Sequence, residues 1–245
     1  MIKKKIAVLI PCHNEAEGIA SVIKKFPWDK IKSNHMSATI IVIDNNSSDG
    51  TAEVAQALGA QVIRESKKGK GNAMRAGFKA LPKDTDYVVM LDGDDTYDSR
   101  EILRMIEPLD SNFCDVVIGS RLGGKMHDDA MRTLNRAGNW FFTHLVRIYY
   151  RVNVTDVLTG YYAWTKQAVD ELQPHLISDG FAIEMEMITK MAKLGHEIYS
   201  VPISYTPRSG ATNLRPIYDG RRIFRMYIRN LRWNSDEKPS ELKAN

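Results

Sequence analysis

Cysteine and long apolar runs are both scarce in this 245-residue chain. Its two cysteines, Cys12 and Cys114, stand in or beside predicted strands, so we expect reduced core thiols and no disulfide framework. No apolar run approaches the roughly 20 residues that a membrane-spanning helix needs. The first residues lead directly into a strand-like segment instead of the apolar region of a signal peptide, and we therefore expect a cytoplasmic protein.

A large excess of charge is also missing, since the net charge is +4 and the composition is that of an ordinary soluble domain. The positive charge gathers near the C-terminus, where Asp219 is the one acidic residue between 208 and 232. The arginines of that region are Arg208, Arg215, Arg221, Arg222, Arg225, Arg229 and Arg232. Such a region is compatible with nucleic-acid binding. However, no recognised nucleic-acid module accompanies it, so we expect no nucleic-acid partner.

Short apolar segments alternate with helical patterns through the first half of the chain. Strands are predicted over 6–10, 39–43, 61–64, 87–91 and 116–118, with helices over 16–25, 51–58, 71–81 and 101–106. Asp49 is expected to N-cap the second of these helices. This order predicts an α/β fold, Rossmann-like, in which a mostly parallel sheet carries helices on both faces.

The second half of the chain is less regular. It predicts helices over 131–152, 166–172, 183–194 and 216–232, a loop over 155–161 and a strand over 198–205. Residues 235–245 are polar and are expected to fray. We divide the chain into one α/β domain, 1–213, and a C-terminal amphipathic helix with a polar tail, 214–245.

Polar side chains follow four of the five strands predicted in the first half. In strand order they are Asn14 and Glu15, Asp44, then Asp92 and Asp94, and finally Ser120 and Arg121. Ligands bind at the carboxyl ends of the strands in parallel sheets of this kind. The convergence of these residues predicts a ligand site at that edge of the sheet.

Asp92, Gly93 and Asp94 form the strongest single signal, at the end of the fourth strand. Carboxylates two residues apart at a strand end point to the same side, because the side-chain period is two. Two hard oxygen ligands suit Mg²⁺ or Mn²⁺, and such ions usually bridge to substrate phosphates. The spacing therefore predicts a divalent metal site on Asp92 and Asp94, with either ion.

Five motifs in the first half resemble the family 2 glycosyltransferases, which have the GT-A fold. They are Pro-Cys-His-Asn-Glu at 11–15, Ile-Asp-Asn-Asn-Ser-Ser-Asp-Gly-Thr at 43–51, Lys-Gly-Lys-Gly-Asn-Ala at 68–73, Asp-Gly-Asp at 92–94 and Gly-Ser-Arg at 119–121. Stretches at 156–161, 180–186 and 208–214 resemble the polyprenyl-phosphate branch, which includes dolichol-phosphate mannose synthases. The basic ending at 214–221 is similar to archaeal enzymes that charge dolichol phosphate with glucose or N-acetylglucosamine.

The resemblance implies an inverting, metal-dependent glycosyltransferase that uses a nucleotide-diphosphate sugar. Asp44 would bind the base or ribose, and Pro11, Asn14 and Glu15 would line the same pocket. Asn45 stands where the family often has a second acid, so its part in base selection is open. A UDP-sugar is favoured because of the archaeal-like ending, and GDP-mannose stays open.

The resemblance also implies which residues face the donor phosphates. Lys70 stands near a helix start, where two glycines let the backbone approach a phosphate. Asp92 and Asp94, with Gly93 between them, would hold the ion that neutralises the diphosphate. Arg208 resembles the family arginine that reaches the same phosphates, a task that suits a planar guanidinium.

The acceptor implied by the resemblance is a polyprenyl or dolichyl phosphate, whose oxygen is already anionic. It needs electrostatic stabilisation instead of a general base, and Arg121 and Arg132 are the candidates to hold it. A saccharide hydroxyl, soluble or lipid-linked, is the alternative acceptor and would need a carboxylate base, Glu184 or Glu186. Two residues apart on a predicted helix, these cannot share a face. The resemblance favours Glu186 as the family acid.

Two predicted helices, 136–152 and 217–232, are amphipathic and rich in arginine. Phe141, Leu145 and Ile148 lie along an apolar stripe of the first, and Phe224 and Ile228 along one of the second. Such helices either lie in the headgroup plane of an anionic membrane or pack the stripe into a core. The resemblance favours the membrane, so we expect peripheral attachment at its cytoplasmic face.

A dinucleotide-dependent oxidoreductase would show the same alternation of strands and helices. Its Gly-rich fingerprint would follow the first strand, where this chain has Pro-Cys-His-Asn-Glu instead. The sequence therefore disfavours that class.

Overall fold

The computed structural model describes residues 3–208 and 214–235. The strands within these ranges are β1 (Lys4–Cys12), β2 (Met36–Asp44), β3 (Gln61–Arg64), β4 (Tyr87–Met90), β5 (Val116–Met126), β6 (Tyr162–Thr165) and β7 (Ile198–Tyr205). The α-helices are α1 (Ala16–Lys25), α2 (Trp28–Ser33), α3 (Thr51–Ala57), α4 (Lys70–Lys79), α5 (Ile102–Asp110), α6 (Thr133–Tyr150), α7 (Lys166–Leu172), α8 (Ile183–Lys193) and α9 (Pro216–Arg232). Short 3₁₀ helices at Ser99–Glu101 and Gln173–His175 precede α5 and follow α7.

The strands form one sheet in the order β3-β2-β1-β4-β6-β5-β7. β1 pairs in parallel with β2 and β4, whereas β6 runs antiparallel between β4 and β5. One core cluster joins the sheet to α1 and α5, and a second joins it to α4 and α8. The predicted α/β fold, with a mostly parallel sheet between two layers of helices, is confirmed.

The central strands are buried on both faces, which is why they are continuous apolar runs in the sequence. In β1, Val8 belongs to the cluster with α1 and α5, and the next residue, Leu9, belongs to the cluster with α4 and α8. Cys12 and Cys114 are free and buried, as predicted. Because both faces of the sheet are filled, the edge at the carboxyl ends of the strands is left for a ligand.

Two features of the sheet differ from the sequence prediction. β6 was not predicted, because four residues directly before a helix carry no clear period. β5 continues past residue 118 to Met126, since its second half pairs with β7 after a register shift between Ser120 and Lys125. Both differences depend on strand partners that are distant in the sequence.

The predicted N-cap of α3 is also corrected. Gly50, with φ of 85°, occupies that position. Asp49 instead accepts hydrogen bonds from Thr51 N and Ala16 N, each at 3.0 Å. Its carboxylate therefore joins the start of α3 to the start of α1.

The C-terminal helix α9 packs against α6 and α8, with Ile223, Tyr227 and Asn230 on its buried side. The predicted domain boundary at 213/214 borders 209–213, and the predicted frayed tail falls largely within 236–245. Both stretches lie outside the described residues, so both remain predictions. Among the helices of the described ranges, none is long and apolar enough to cross a membrane.

Candidate active site

A cleft of about 690 Å³ lies beyond the carboxyl end of β4, between α6 and the start of α9. Its charged lining consists of Lys70, Asp92, Asp94, Arg121, Asp129, Arg132, Glu184 and Arg208. All of these except Asp129 and Glu184 are predicted donor-, metal- or acceptor-binding residues. The structure therefore brings the central part of the predicted site together.

The turn after β4 positions Asp92 and Asp94. Asp94 is 5% exposed, and its Oδ1 accepts hydrogen bonds from Thr96 N at 3.1 Å and Thr96 Oγ1 at 2.6 Å. Gly93 has no room for a side chain, because a Cβ there would clash with the Cys12 thiol. Hydrogen bonds from Thr96 therefore fix the Asp94 carboxylate, and close packing fixes the backbone between Asp92 and Asp94.

Lys70 neutralises Asp92. Its Nζ lies 2.5 Å from Asp92 Oδ1 and 2.7 Å from Glu184 Oε1. Burial opposes the charge of this lysine, but the two carboxylates raise the pKa of Lys70 well above its ordinary value. Burial also raises the pKa of Glu184, against the attraction of Lys70. The Lys70 ammonium group is therefore paired with two carboxylates, those of Asp92 and Glu184.

Arg208 has the same relation to Asp94 and Glu15. Its Nη1 lies 3.0 Å from Asp94 Oδ2, and its Nη2 donates to Glu15 Oε1 at 2.6 Å. Burial, followed by the charge of Asp94, raises the pKa of Glu15 to about 8. Burial and the charge of Asp92 raise the pKa of Asp94. Burial is the first cause of both shifts, and the count of charges shows a deficit of positive charge, because Lys70 and Arg208 are shared by four carboxylates.

A divalent ion on Asp92 and Asp94 fits this deficit of positive charge. Within residues 3–208 and 214–235, no group of three or more His, Cys, Asp or Glu is arranged to hold a metal ion. Mg²⁺ is often held by one or two carboxylates, with its remaining ligands from water and substrate phosphates. The two carboxylates match that type of site, in which Lys70 would release Asp92 as the ion binds.

Asn45 shapes the turn that carries Lys70. Its Nδ2 donates to the carbonyl oxygens of Glu65 at 3.0 Å and Lys67 at 2.8 Å, and its Oδ1 accepts from Gly69 N at 2.6 Å. Both ends of its amide are thus bonded within the turn, and its predicted contact with the nucleotide remains a prediction. An aspartate at this position would face two carbonyl oxygens without a donor.

The other residues predicted for the nucleoside pocket lie beside the cleft, at the ends of β1 and β2. Pro11 is buried at the end of β1. Asp44 is 6% exposed and accepts from Ser47 N at 3.2 Å. Asn14, with φ of 57°, accepts from Ser48 N at 2.8 Å. These bonds fix the two loops against each other, and the nucleoside pocket between them remains a prediction.

The two arginines predicted to hold the acceptor line the same cleft in different environments. Arg121 is 8% exposed and makes a bidentate ion pair with Asp156, with both N–O distances at 2.8 Å. Arg132 is exposed and occupies the N-cap position of α6. Their part in acceptor binding remains a prediction.

The structure does not bring Glu186, the glutamate that the resemblance favours, into the cleft. Glu186 is fully buried and accepts from Ile177 N, Ser178 N and Lys190 Nζ at 3.0, 2.7 and 2.6 Å. Two residues apart on an α-helix, side chains point about 200° apart. Glu184 is therefore the glutamate that faces the cleft, and Glu186 holds the loop before α8.

Asp156 and Tyr205 are the site residues that the sequence did not assign. Asp156 stands in a stretch that carries the family resemblance, but nothing in the sequence pairs it with Arg121. Tyr205 ends β7 and places its ring 5.2 Å from Arg121 Cζ. No sequence signal marks this contact, because it depends on how β7 pairs with β5.

Comparison with known proteins identifies the family of the chain. The family model described as Glycosyl transferase family 2 matches residues 7–172. The chain belongs to this family and is a glycosyltransferase.

Named relatives extend this result. Glycosyltransferase AglJ of Haloferax volcanii is 38% identical over 232 residues, covering 94% of this chain and 73% of that protein. The dolichyl-phosphate hexose transferase of the same organism is 30% identical over 224 residues, covering 91% and 92%. These relatives are consistent with the polyprenyl-phosphate branch.

A solved structure supports the fold. Glucosyl-3-phosphoglycerate synthase from Mycobacterium tuberculosis, crystallised with Mn²⁺, UDP-glucose and phosphoglyceric acid, matches with a TM-score of 0.70 at 21% identity. The match covers 93% of this chain and 80% of that one. The predicted GT-A fold is confirmed.

Proposed function

We propose that this glycosyltransferase moves a sugar from a nucleotide diphosphate to the phosphate of a polyprenyl or dolichyl lipid. The observation that carries the proposal is the continuity of the charged cleft with an apolar groove of about 400 Å³ between α6 and α9. The two share Phe142, Pro216, Ile217 and Gly220, and the groove adds Phe141, Arg221, Phe224 and Arg225. An anionic headgroup on an apolar chain suits both ends of this continuous space.

At the donor end, Asp92 and Asp94 would hold Mg²⁺ or Mn²⁺. When bound, the ion neutralises the departing diphosphate. Lys70 and Arg208, which pair with these carboxylates in the structure, would then contact the donor phosphates. The loops after β1 and β2 would enclose the nucleoside. The basic ending of the chain supports a UDP-sugar over GDP-mannose.

At the acceptor end, Arg121 and Arg132 would hold the lipid phosphate near the anomeric carbon. A phosphate oxygen forms the new bond to that carbon while its bond to the diphosphate breaks on the opposite side, with inversion. No proton leaves the acceptor, so no general base is required. The main task is to bring two anionic groups together, which fixed guanidinium groups accomplish.

Exposed apolar side chains on α6 and α9 support attachment to a membrane surface. Ile148 on α6 is 68% exposed, and Ile217 and Phe224 on α9 are 72% and 43% exposed. Arg225 and Arg229 are exposed on α9 as well. Apolar and arginine side chains together favour the headgroup region of anionic membranes. We infer that the enzyme is peripheral to the cytoplasmic face of the membrane.

Product extraction tests the acceptor. The chain is incubated with Mn²⁺, dolichyl phosphate and labelled UDP-glucose, UDP-N-acetylglucosamine or GDP-mannose, and lipids are extracted into organic solvent. We expect labelled lipid from at least one donor. Binding of a donor without any labelled lipid would reject the proposed acceptor.

A saccharide hydroxyl is the second candidate acceptor, because one carboxylate, Glu184, does face the cleft. That chemistry would use Glu184 as the base, which must first leave Lys70. Labelled saccharide in the aqueous phase of the same assay would support it.

A further inference from the structure

Asp156 is fully buried beside the cleft, with four hydrogen-bond donors around its carboxylate. Arg121 supplies N, Nε and Nη2, each at 2.8 Å, and Asn139 supplies Nδ2 at 2.6 Å. We propose that Asp156 is a positioning residue that fixes the Arg121 guanidinium for the acceptor phosphate and couples it to α6 through Asn139. This inference rests on the proposed function.

The guanidinium of Arg121 is held from three directions. Arg121 Nε and Nη2 both donate to the Asp156 carboxylate. Nη2 also donates to Leu158 O at 2.6 Å, and the Tyr205 ring lies against the guanidinium. A bidentate carboxylate sets the plane of a guanidinium as well as its place. An arginine fixed in this way loses little side-chain entropy when it binds an anion.

The same network reaches α6. Asn139 Oδ1 accepts from Leu158 N at 3.1 Å, and Thr143 Oγ1 accepts from Val157 N at 3.2 Å. Both side chains lie on the buried side of α6, whereas Phe141 is 46% exposed on the other side. The helix proposed to contact the membrane is thus bonded to the segment that orients Arg121.

A competing role for Asp156 predicts the opposite change in acceptor binding when its carboxylate is removed. If the carboxylate only cancels the charge of Arg121, its removal would strengthen the attraction for an anionic acceptor. If it positions the guanidinium, its removal would weaken acceptor binding despite the gain in positive charge. The KM for the acceptor therefore separates the two roles.

The test is Asp156→Asn, with KM for dolichyl phosphate measured by product extraction and Kd for the nucleotide sugar measured by calorimetry. We expect the acceptor KM to rise about 10- to 100-fold, as for a displaced catalytic contact, and the donor Kd to stay within about twofold. Glu101→Gln is the matched control. Glu101 also accepts from an arginine, Arg104, and from a backbone N–H, that of Ser204, but it lies outside the cleft lining. It should leave both constants unchanged.

Two further variants keep the proposal testable if Asp156→Asn does not fold. Asn139→Ala removes one donor to Asp156, and we expect a smaller rise in acceptor KM, about threefold to tenfold. In an Arg121→Lys background, Asp156→Asn should add much less than it does alone, because coupled residues are non-additive. A full additive loss would mean that Asp156 does not act through Arg121.

The outcomes separate this inference from the proposed function. Labelled lipid from the wild type, with an unchanged or lower acceptor KM in the variants, overturns the positioning role alone. Equal loss of donor and acceptor affinity also overturns it, because it indicates general damage. Absence of labelled lipid from the wild type overturns the proposed acceptor and this inference with it.

Discussion

The two ends of the cleft differ in how their charges are balanced. At the proposed donor end, the carboxylates of Asp92, Asp94 and Glu184 outnumber the cations beside them, and burial raises the pKa of two of the three. At the proposed acceptor end, Arg121 and Asp156 form a closed pair. The donor end is therefore suited to take up a further cation, whereas the acceptor end is already ordered. Substitutions at the two ends should accordingly change different measured properties of the enzyme.

The largest effect is expected from Asp94→Ala. Removing one of the two carboxylates proposed to bind the metal should lower kcat by on the order of 10²–10³-fold, the cost typical of losing a main electrostatic contact. The thermal shift that Mn²⁺ produces should disappear in the same variant. Product extraction and melting curves with and without Mn²⁺ measure the two effects.

Asp95→Asn is the control for that substitution. Asp95 is the next residue, but its carboxylate pairs with Lys25 at 2.6 Å and accepts from Ser21 at 2.7 Å, and its φ is 61°. Asparagine tolerates that backbone conformation. A full Mn²⁺ shift in Asp94→Ala, or its loss in Asp95→Asn, would show that the ion is held elsewhere.

The two glutamates of α8 give the next comparison. Glu186→Gln should destabilise the fold by about 3 kcal/mol, because it breaks a buried ion pair with Lys190, and should leave the acceptor KM unchanged. Glu184→Gln should lower kcat about tenfold with a smaller effect on stability, since Lys70 loses one partner in the cleft. Denaturant unfolding and kinetics on both variants test which glutamate takes part in the reaction. A large kinetic defect confined to Glu186→Gln would assign that role to Glu186.

Local sequence signals predict some residues of the candidate site, and only packing places the others. Asp92 and Asp94 were predictable because a strand end and a two-residue spacing are local signals. The choice between Glu184 and Glu186 was not predictable. The sequence of a helix gives the residues of both faces, and only packing determines which face lines the cleft. The bond between Arg121 and Asp156 crosses 35 residues, and the three turn partners of Asn45 carry no signal in the sequence around it. The partners of Glu186 lie 4 to 9 residues away and those of Asn45 20 to 24 residues away, so the environment of these side chains depends on packing that no local spacing predicts.

A smaller effect is expected where α9 meets the proposed membrane. Phe224 is 43% exposed, so burying it in the headgroup region should contribute about 1 kcal/mol. Phe224→Ser should weaken binding to anionic vesicles roughly fivefold without changing the melting temperature. Vesicle sedimentation measures the partition.

Phe113→Ser is the matched control for vesicle binding. Phe113 is 59% exposed, but it lies just before the amino end of β5, whereas the cleft lies at the carboxyl ends of the strands. Its substitution should leave vesicle binding unchanged. Equal losses in the two variants would mean that the vesicles bind exposed apolar residues without preference for α9.

A further effect should appear in the pH dependence of the metal-free protein. The folded protein binds a proton on Glu15 with a pKa of about 8, against an ordinary value of 4.5. Between these two values the folded state holds more protons than the unfolded chain, so the free energy of unfolding falls as the pH rises, and Glu15 adds no slope outside that window. Melting temperatures in EDTA from pH 5 to 8 should decline less steeply in Glu15→Gln than in the wild type. Parallel slopes would show that Glu15 binds no excess proton in this range, so that its ionised carboxylate would add a negative charge to the proposed donor end.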